Sequence, residues 1–81
     1  MNYENYILSK VLRGREITIS LAFLEKEIPS EIPSLKVIED WANKICREYG
    51  IRAIIYAASD VITFFPCRQY PGATVQAWGE I

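Results

Sequence analysis

The sequence predicts an α+β domain in which one amphipathic helix packs on one face of an antiparallel sheet of roughly four to five strands, in the order ββαββ. Three observations predict it. Apolar residues recur at helical spacing from Leu35 to Tyr49. Beyond Gly50 the apolar period shortens to two, and two β-branched, aromatic runs follow each other, Ile51–Ala57 and Val61–Phe65. Upstream, Glu16–Leu24 alternates, with Ile17, Ile19, Leu21 and Phe23 on one side and Thr18, Ser20 and Ala22 on the other.

The first segment, Tyr6–Leu12, reads two ways. As a strand it pairs with Glu16–Leu24 through a turn at Arg13-Gly14-Arg15, where Gly14 supplies a positive φ. As a helix it presents Tyr3, Ile7, Leu8, Val11 and Leu12 on one face, and Gly14 becomes the residue that ends it. The charged pair around a glycine, followed by clean alternation, favours the strand.

Glu27-Ile28-Pro29-Ser30 is repeated at once as Glu31-Ile32-Pro33-Ser34. A proline disfavours helical backbone in the residue before it, so 27–34 reads as an extended connector. Ser34 then stands where a hydroxyl caps the first turn of the helix. Within the helix, Leu35, Ile38, Ala42, Ile45 and Tyr49 form the stripe, and Val37 and Trp41 flank it four residues apart. Gly50 occupies the left-handed C′ position, and Ile51 folds back on Ile45 or Cys46.

The hairpin that follows is expected to turn on Ser59-Asp60 as a two-residue loop. That loop sets Ile55 opposite Phe64, Ala57 opposite Ile62, Tyr56 opposite Thr63 and Ile54 opposite Phe65. Pro66 stops it, because proline cannot donate to a ladder. Residues 67–81 carry the turn signature Pro71-Gly72 and an alternating stretch from Thr74 to Trp78, which suits a final strand or a tail.

With 81 residues, the chain is expected to be one domain spanning 1–81. So short a chain buries only about 60% of the surface its unfolded form exposes, and self-association is the expected support, as in a homodimer. Nine basic and ten acidic side chains leave a net charge of −1, so nucleic acid is not an expected partner. No apolar run approaches the ~18–20 residues of a membrane span, and the start lacks the basic n-region of a signal peptide. A reducing cytoplasmic setting with Cys46 and Cys67 as free thiols follows.

The composition leaves little for catalysis. Among the 81 residues there is no histidine, the usual group that titrates near neutral pH. Glu39 and Asp40 are neighbours on a solvated helix face, pointing roughly 100° apart, and do not make a dyad. Cys67 stands beside Arg68, but a nucleophilic thiol also needs a base, and no histidine is present to serve. Cys46 reads as a small buried hydrophobe. No metal-ligand spacing and no phosphate-binding glycine pattern appears, so neither metal nor cofactor is expected. Lys10, Arg13 and Arg15 cluster at the first turn, either as solvated charges or as a contact for an acidic protein partner or for nucleic-acid phosphate.

The hairpin is apolar on both faces, and one helix covers only one of them. Ile54, Tyr56, Val61 and Phe65 are left for the second face, with the Trp78 tail as the only cover within the chain. Either the tail folds over them or they form a partner surface. In its size, its lack of catalytic groups and its hairpin–helix–hairpin order, the chain resembles the small single-domain inhibitors encoded by phages and mobile elements, anti-CRISPR proteins among them. The resemblance implies a non-enzymatic, protein-binding function. The alternative reading is a structural or assembly subunit that forms a symmetric homo-oligomer.

Overall fold

In the computed structural model, which describes residues 3–27, 35–67 and 69–76, the class is α+β, but the sheet is mixed and carries helices on both sides of the first strand in sequence. The elements are α1 (Tyr3–Val11), β1 (Ile17–Ser20), α2 (Leu21–Glu27), α3 (Leu35–Tyr49), β2 (Arg52–Tyr56), β3 (Val61–Phe65) and β4 (Gly72–Gln76). The four strands lie in the order β1-β3-β2-β4. β1 and β2 each pair antiparallel with β3, while β4 runs parallel to β2 at the edge.

The order ββαββ is therefore corrected at its front. Tyr6–Leu12 is helical up to Val11, and Ile7, Leu8 and Val11 face the core at three- and four-residue spacing. Gly14 ends this helix at φ +85°: its N–H donates to the Val11 carbonyl at 3.0 Å, and the Arg15 N–H reaches back to Lys10 at 3.1 Å. Those two bonds make a Schellman motif, whose left-handed residue glycine adopts without a Cβ clash.

The strand expected over Glu16–Leu24 stops at Ser20 and turns into α2. Leu21 and Leu24 are both buried while Phe23 between them is exposed, which is a helical spacing in place of an alternating one. The Leu21 N–H donates to the Asp60 carbonyl at 2.9 Å, so the far turn of the hairpin holds the point where strand becomes helix.

α3 has the bounds that its stripe predicts, and Gly50 sits at φ +70°. The Ile51 N–H donates to the Cys46 carbonyl at 2.9 Å, a second Schellman closure. Ile38, Ala42, Ile45 and Cys46 are buried, whereas Leu35 and Tyr49 at the ends of the stripe are exposed. The expected Ser34 cap and the 27–34 connector lie outside the described residues beyond Glu27 itself, which ends α2.

The β2–β3 hairpin forms, with a different loop and register. Ala57–Ser59 makes a 3₁₀ turn that ends at Asp60 in the left-handed conformation, φ 59°. This longer loop pairs Tyr56 with Val61, Ile55 with Ile62, Ile54 with Thr63 and Ala53 with Phe64. Every partner differs from the two-residue expectation, but the shift preserves which side chains share a face. Ile55 and Ala53 still lie with Ile62 and Phe64.

That face is the core. Ala53, Ile55, Ile62, Phe64, Ile19 and Ala73 meet Ile7, Leu8 and Val11 of α1, Leu21 and Leu24 of α2, and the buried stripe of α3. α1 packs on β1 and β3, and α3 crosses β2 and β4. Trp41 stands edge-on to Phe64, 6.2 Å between ring centroids at 89°, the arrangement that aligns a ring edge with a π face. No helix among the described residues is long and apolar enough to cross a membrane.

Candidate interaction surface

Strand periodicity sorts the sheet into two faces, and the helices of the described residues occupy one. The opposite face, which no helix among the described residues covers, carries Ile54 and Tyr56 from β2 and Val61, Thr63 and Phe65 from β3. Thr18 and Ser20 of β1 and Thr74 and Gln76 of β4 border them by register. The four residues expected on a spare face, Ile54, Tyr56, Val61 and Phe65, are thus brought together, each half-buried. Trp78, the fifth, lies outside the described residues.

The final segment does not fold over this face as far as Gln76. Gly72–Gln76 joins the sheet edge-on, in register with Arg52–Tyr56. In the middle of the face Thr63 retains 8% exposure, and its hydroxyl shares a 2.9 Å hydrogen bond with the Thr18 hydroxyl in which either can donate. The face therefore has a largely apolar centre over β2 and β3 and a hydroxyl-rich margin, and the buried Thr63 hydroxyl is paired with Thr18 on that margin.

The basic residues of the first turn are set apart from that apolar centre. Lys10 lies in the last turn of α1, with its ammonium 5.8 Å from the Tyr6 ring centroid, a cation–π distance. Arg13 and Arg15 flank Gly14 and are exposed. Val11, Leu12, Gly14, Ile51 and Pro66 line a hollow of about 210 Å³ beneath this turn. The turn thus sits beside the residue that leads into β2.

A second hollow, about 450 Å³, lies where α3 and the start of β4 meet, and its charged lining residues are Arg47 and Arg52. Sequence reasoning missed it. Arg47 and Arg52 belong to different elements, and the parallel seat of β4 is what brings Tyr70 and Thr74 beside them. The strained backbone of Tyr70, at φ 57°, had no local signal other than the Pro71-Gly72 turn signature.

The two cysteines are free thiols with different surroundings. Burial pushes the Cys46 thiol up from 9.0 to about 12, against a smaller lowering by the Gly72 backbone. Such a thiol stays protonated and packs as a hydrophobe. Cys67 is half-buried and donates its S–H to the Gln69 carbonyl at 3.2 Å. Among the described residues no three side chains of the His, Cys, Asp and Glu types gather as a metal-binding group.

No protein-family profile, curated protein or solved structure matches the chain. The surface itself is the basis for any reading of function.

Proposed function

We propose that this chain is a small non-catalytic protein-binding module that works through the open face of its sheet, as a cytoplasmic inhibitor of a host complex in the manner of phage-encoded anti-CRISPR proteins. One observation carries the reading: Ile54, Tyr56, Val61 and Phe65 share the sheet face opposite every packed helix of the described residues. A contiguous apolar patch bordered by hydroxyls has the anatomy of an interface, with an apolar centre and a polar rim. The free thiols suit a reducing cytosol. The alternative occupant of the same face is a second copy of the chain, as in an assembly subunit.

Tyr56→Glu tests the reading. A carboxylate at a half-exposed position is tolerated in water but costs several kcal/mol when desolvated and unpaired. The variant is expected to keep the wild-type circular dichroism and melting curve while losing capture of a discrete protein from bacterial lysate. Loss of dimer mass on a sizing column, without loss of a captured partner, assigns the face to self-association. A folded Tyr56→Glu protein that keeps both its mass and its captured partner overturns the reading.

A further inference from the structure

We propose that the hollow between α3 and the start of β4 receives a carboxylate from an acidic protein partner, held by Arg47 and Arg52. The inference rests on the protein-binding reading above and names the partner's chemistry. The hollow, of about 450 Å³, is lined by two arginines, Asn43, Tyr70 and Thr74 among others, and among the described residues by no carboxylate. Both arginines are exposed, and neither forms an ion pair with a described residue; Lys36 pairs with Asp40, one turn apart on the outer face of α3. Asn43 Oδ1 accepts the Ala73 N–H at 2.7 Å, which turns its amide N–H groups into donors beside the two guanidinium groups.

Two features aim this hollow at a protein. It is continuous with the apolar face, because Arg52 is in register with Phe65 and Thr74 is in register with Ile54. At its mouth Tyr70 is 88% exposed and held at φ 57°, a conformation uncommon for a residue with a Cβ. Tyrosine and arginine are the side chains enriched among residues that dominate protein interfaces, and the guanidinium fork matches a carboxylate with two parallel hydrogen bonds.

Topology adds charge of the same sign at this end of the sheet. Gly14, Ile51 and Pro66 line one hollow, which places the turn bearing Arg13 and Arg15 beside Ile51, the residue before Arg52. Glu16 and Glu48 follow in the same segments, so the end is basic without being polycationic. Nucleic-acid interfaces are more polar and far more positive than this apolar face with its few arginines, in a chain of net charge −1. An acidic protein surface with apolar neighbours fits better.

The test titrates the isotope-labelled full chain with a synthetic peptide alternating glutamate and leucine, with its glutamine counterpart, and with a short oligothymidylate, following backbone and arginine side-chain NMR signals. The acidic peptide is expected to shift Tyr70, Gly72, Ala73 and Thr74 and the side-chain signals of Arg47 and Arg52. Its affinity should fall about tenfold between low and about 0.5 M salt. An Arg47→Gln, Arg52→Gln double variant with an otherwise unchanged spectrum should lose the response. Equal binding of the glutamine peptide, tighter binding of the oligothymidylate at the same signals, or an undiminished response in the double variant overturns the inference. The two readings fail separately. If Tyr56→Glu abolishes partner capture and the arginine double variant leaves it intact, the hollow is excluded and the open face stands; the reverse pattern excludes the open face and keeps the hollow.

Discussion

The Asn43 side chain accepts the backbone N–H of Ala73 at 2.7 Å, so a residue on the flank of α3 satisfies a donor on the outer strand of the sheet. Among the described residues that donor has no strand to meet, because β4 is the edge and its other neighbour is β2. An unpaired edge group is a template for pairing with another chain, and covering it with a side chain from the helix blunts that hazard. The bond also fastens α3 to the strand it crosses.

Asn43→Ala should therefore destabilise the fold by about 1 kcal/mol, the usual net value of one such bond. Hydrogen exchange at Ala73 should quicken more than at the neighbouring core amides. Asn43→Asp, which keeps an acceptor, should retain most of the protection. An Ala73 amide indifferent to both substitutions would show that the bond does not hold the strand.

Gly50→Val should cost about 1 kcal/mol or more, because a β-branched residue resists the left-handed backbone that closes α3. Gly50→Asn should cost less, since asparagine tolerates that region better than other residues with a Cβ. Chemical denaturation measures both, and equal stability of the valine variant would contradict the observed φ of +70°.

The Cys46 thiol predicts a pH dependence with a definite sign. Its folded pKa lies near 12 against an ordinary 9.0, so above pH 9 the unfolded chain has released a proton that the folded chain still holds. Stability contributed by this group is complete below pH 9 and is lost as pH rises towards 12. Melting curves of wild type and Cys46→Ala, compared across that range, should converge as pH rises; a constant difference would refute the shift.

The same contrast should appear in thiol labelling. Cys67 is half-buried and near the surface, whereas Cys46 is fully covered. A thiol-reactive reagent at neutral pH should modify Cys67 first and reach Cys46 only as fast as the core opens. Cys67→Ser should leave partner capture unchanged, and loss of capture in a folded Cys67→Ser protein would move function towards the thiol.

Phe64 is fully buried and meets Trp41 edge-on, so Phe64→Ala removes both a large core volume and an aromatic contact. A loss of about 3–5 kcal/mol is expected, enough to unfold a chain this small at ordinary temperature. Urea titration followed by far-UV circular dichroism would show it, and a loss below about 1 kcal/mol would mean that the core relaxes around the gap.

What was legible in the sequence was local. The stripe from Leu35 to Tyr49 and its terminal glycine specify α3 without help from distant residues. The shared face of Ile54, Tyr56, Val61 and Phe65 was legible too, because the register shifts by two residues and an even shift keeps the alternation in phase. Tyr6–Leu12 was not, since a glycine after a short apolar segment serves a hairpin turn and a helix cap equally well. Long-range packing decides between them: Ile7, Leu8 and Val11 find a sheet to cover. Leu21 and Leu24 change period for a similar reason, at a point tied to Asp60 far along the chain. The parallel seat of β4 and the arginine hollow beside it depend on the chain passing from β3 to the far side of β2, a path that no local pattern encodes.

The strand order β1-β3-β2-β4 also dictates a sequence of events during folding. β2 and β3 are joined by a short turn and can zip on their own, within microseconds by the standard of hairpins. β1 must wait, because Ile17 meets Phe64 only after most of the chain exists, and closing that span costs entropy before any contact rewards it. On a ribosome, α1, β1 and α2 emerge long before the strands they cover. Until β3 leaves the exit tunnel they have no sheet to rest on, and the burial of Ile7, Leu24 and Phe64 is one late, shared step.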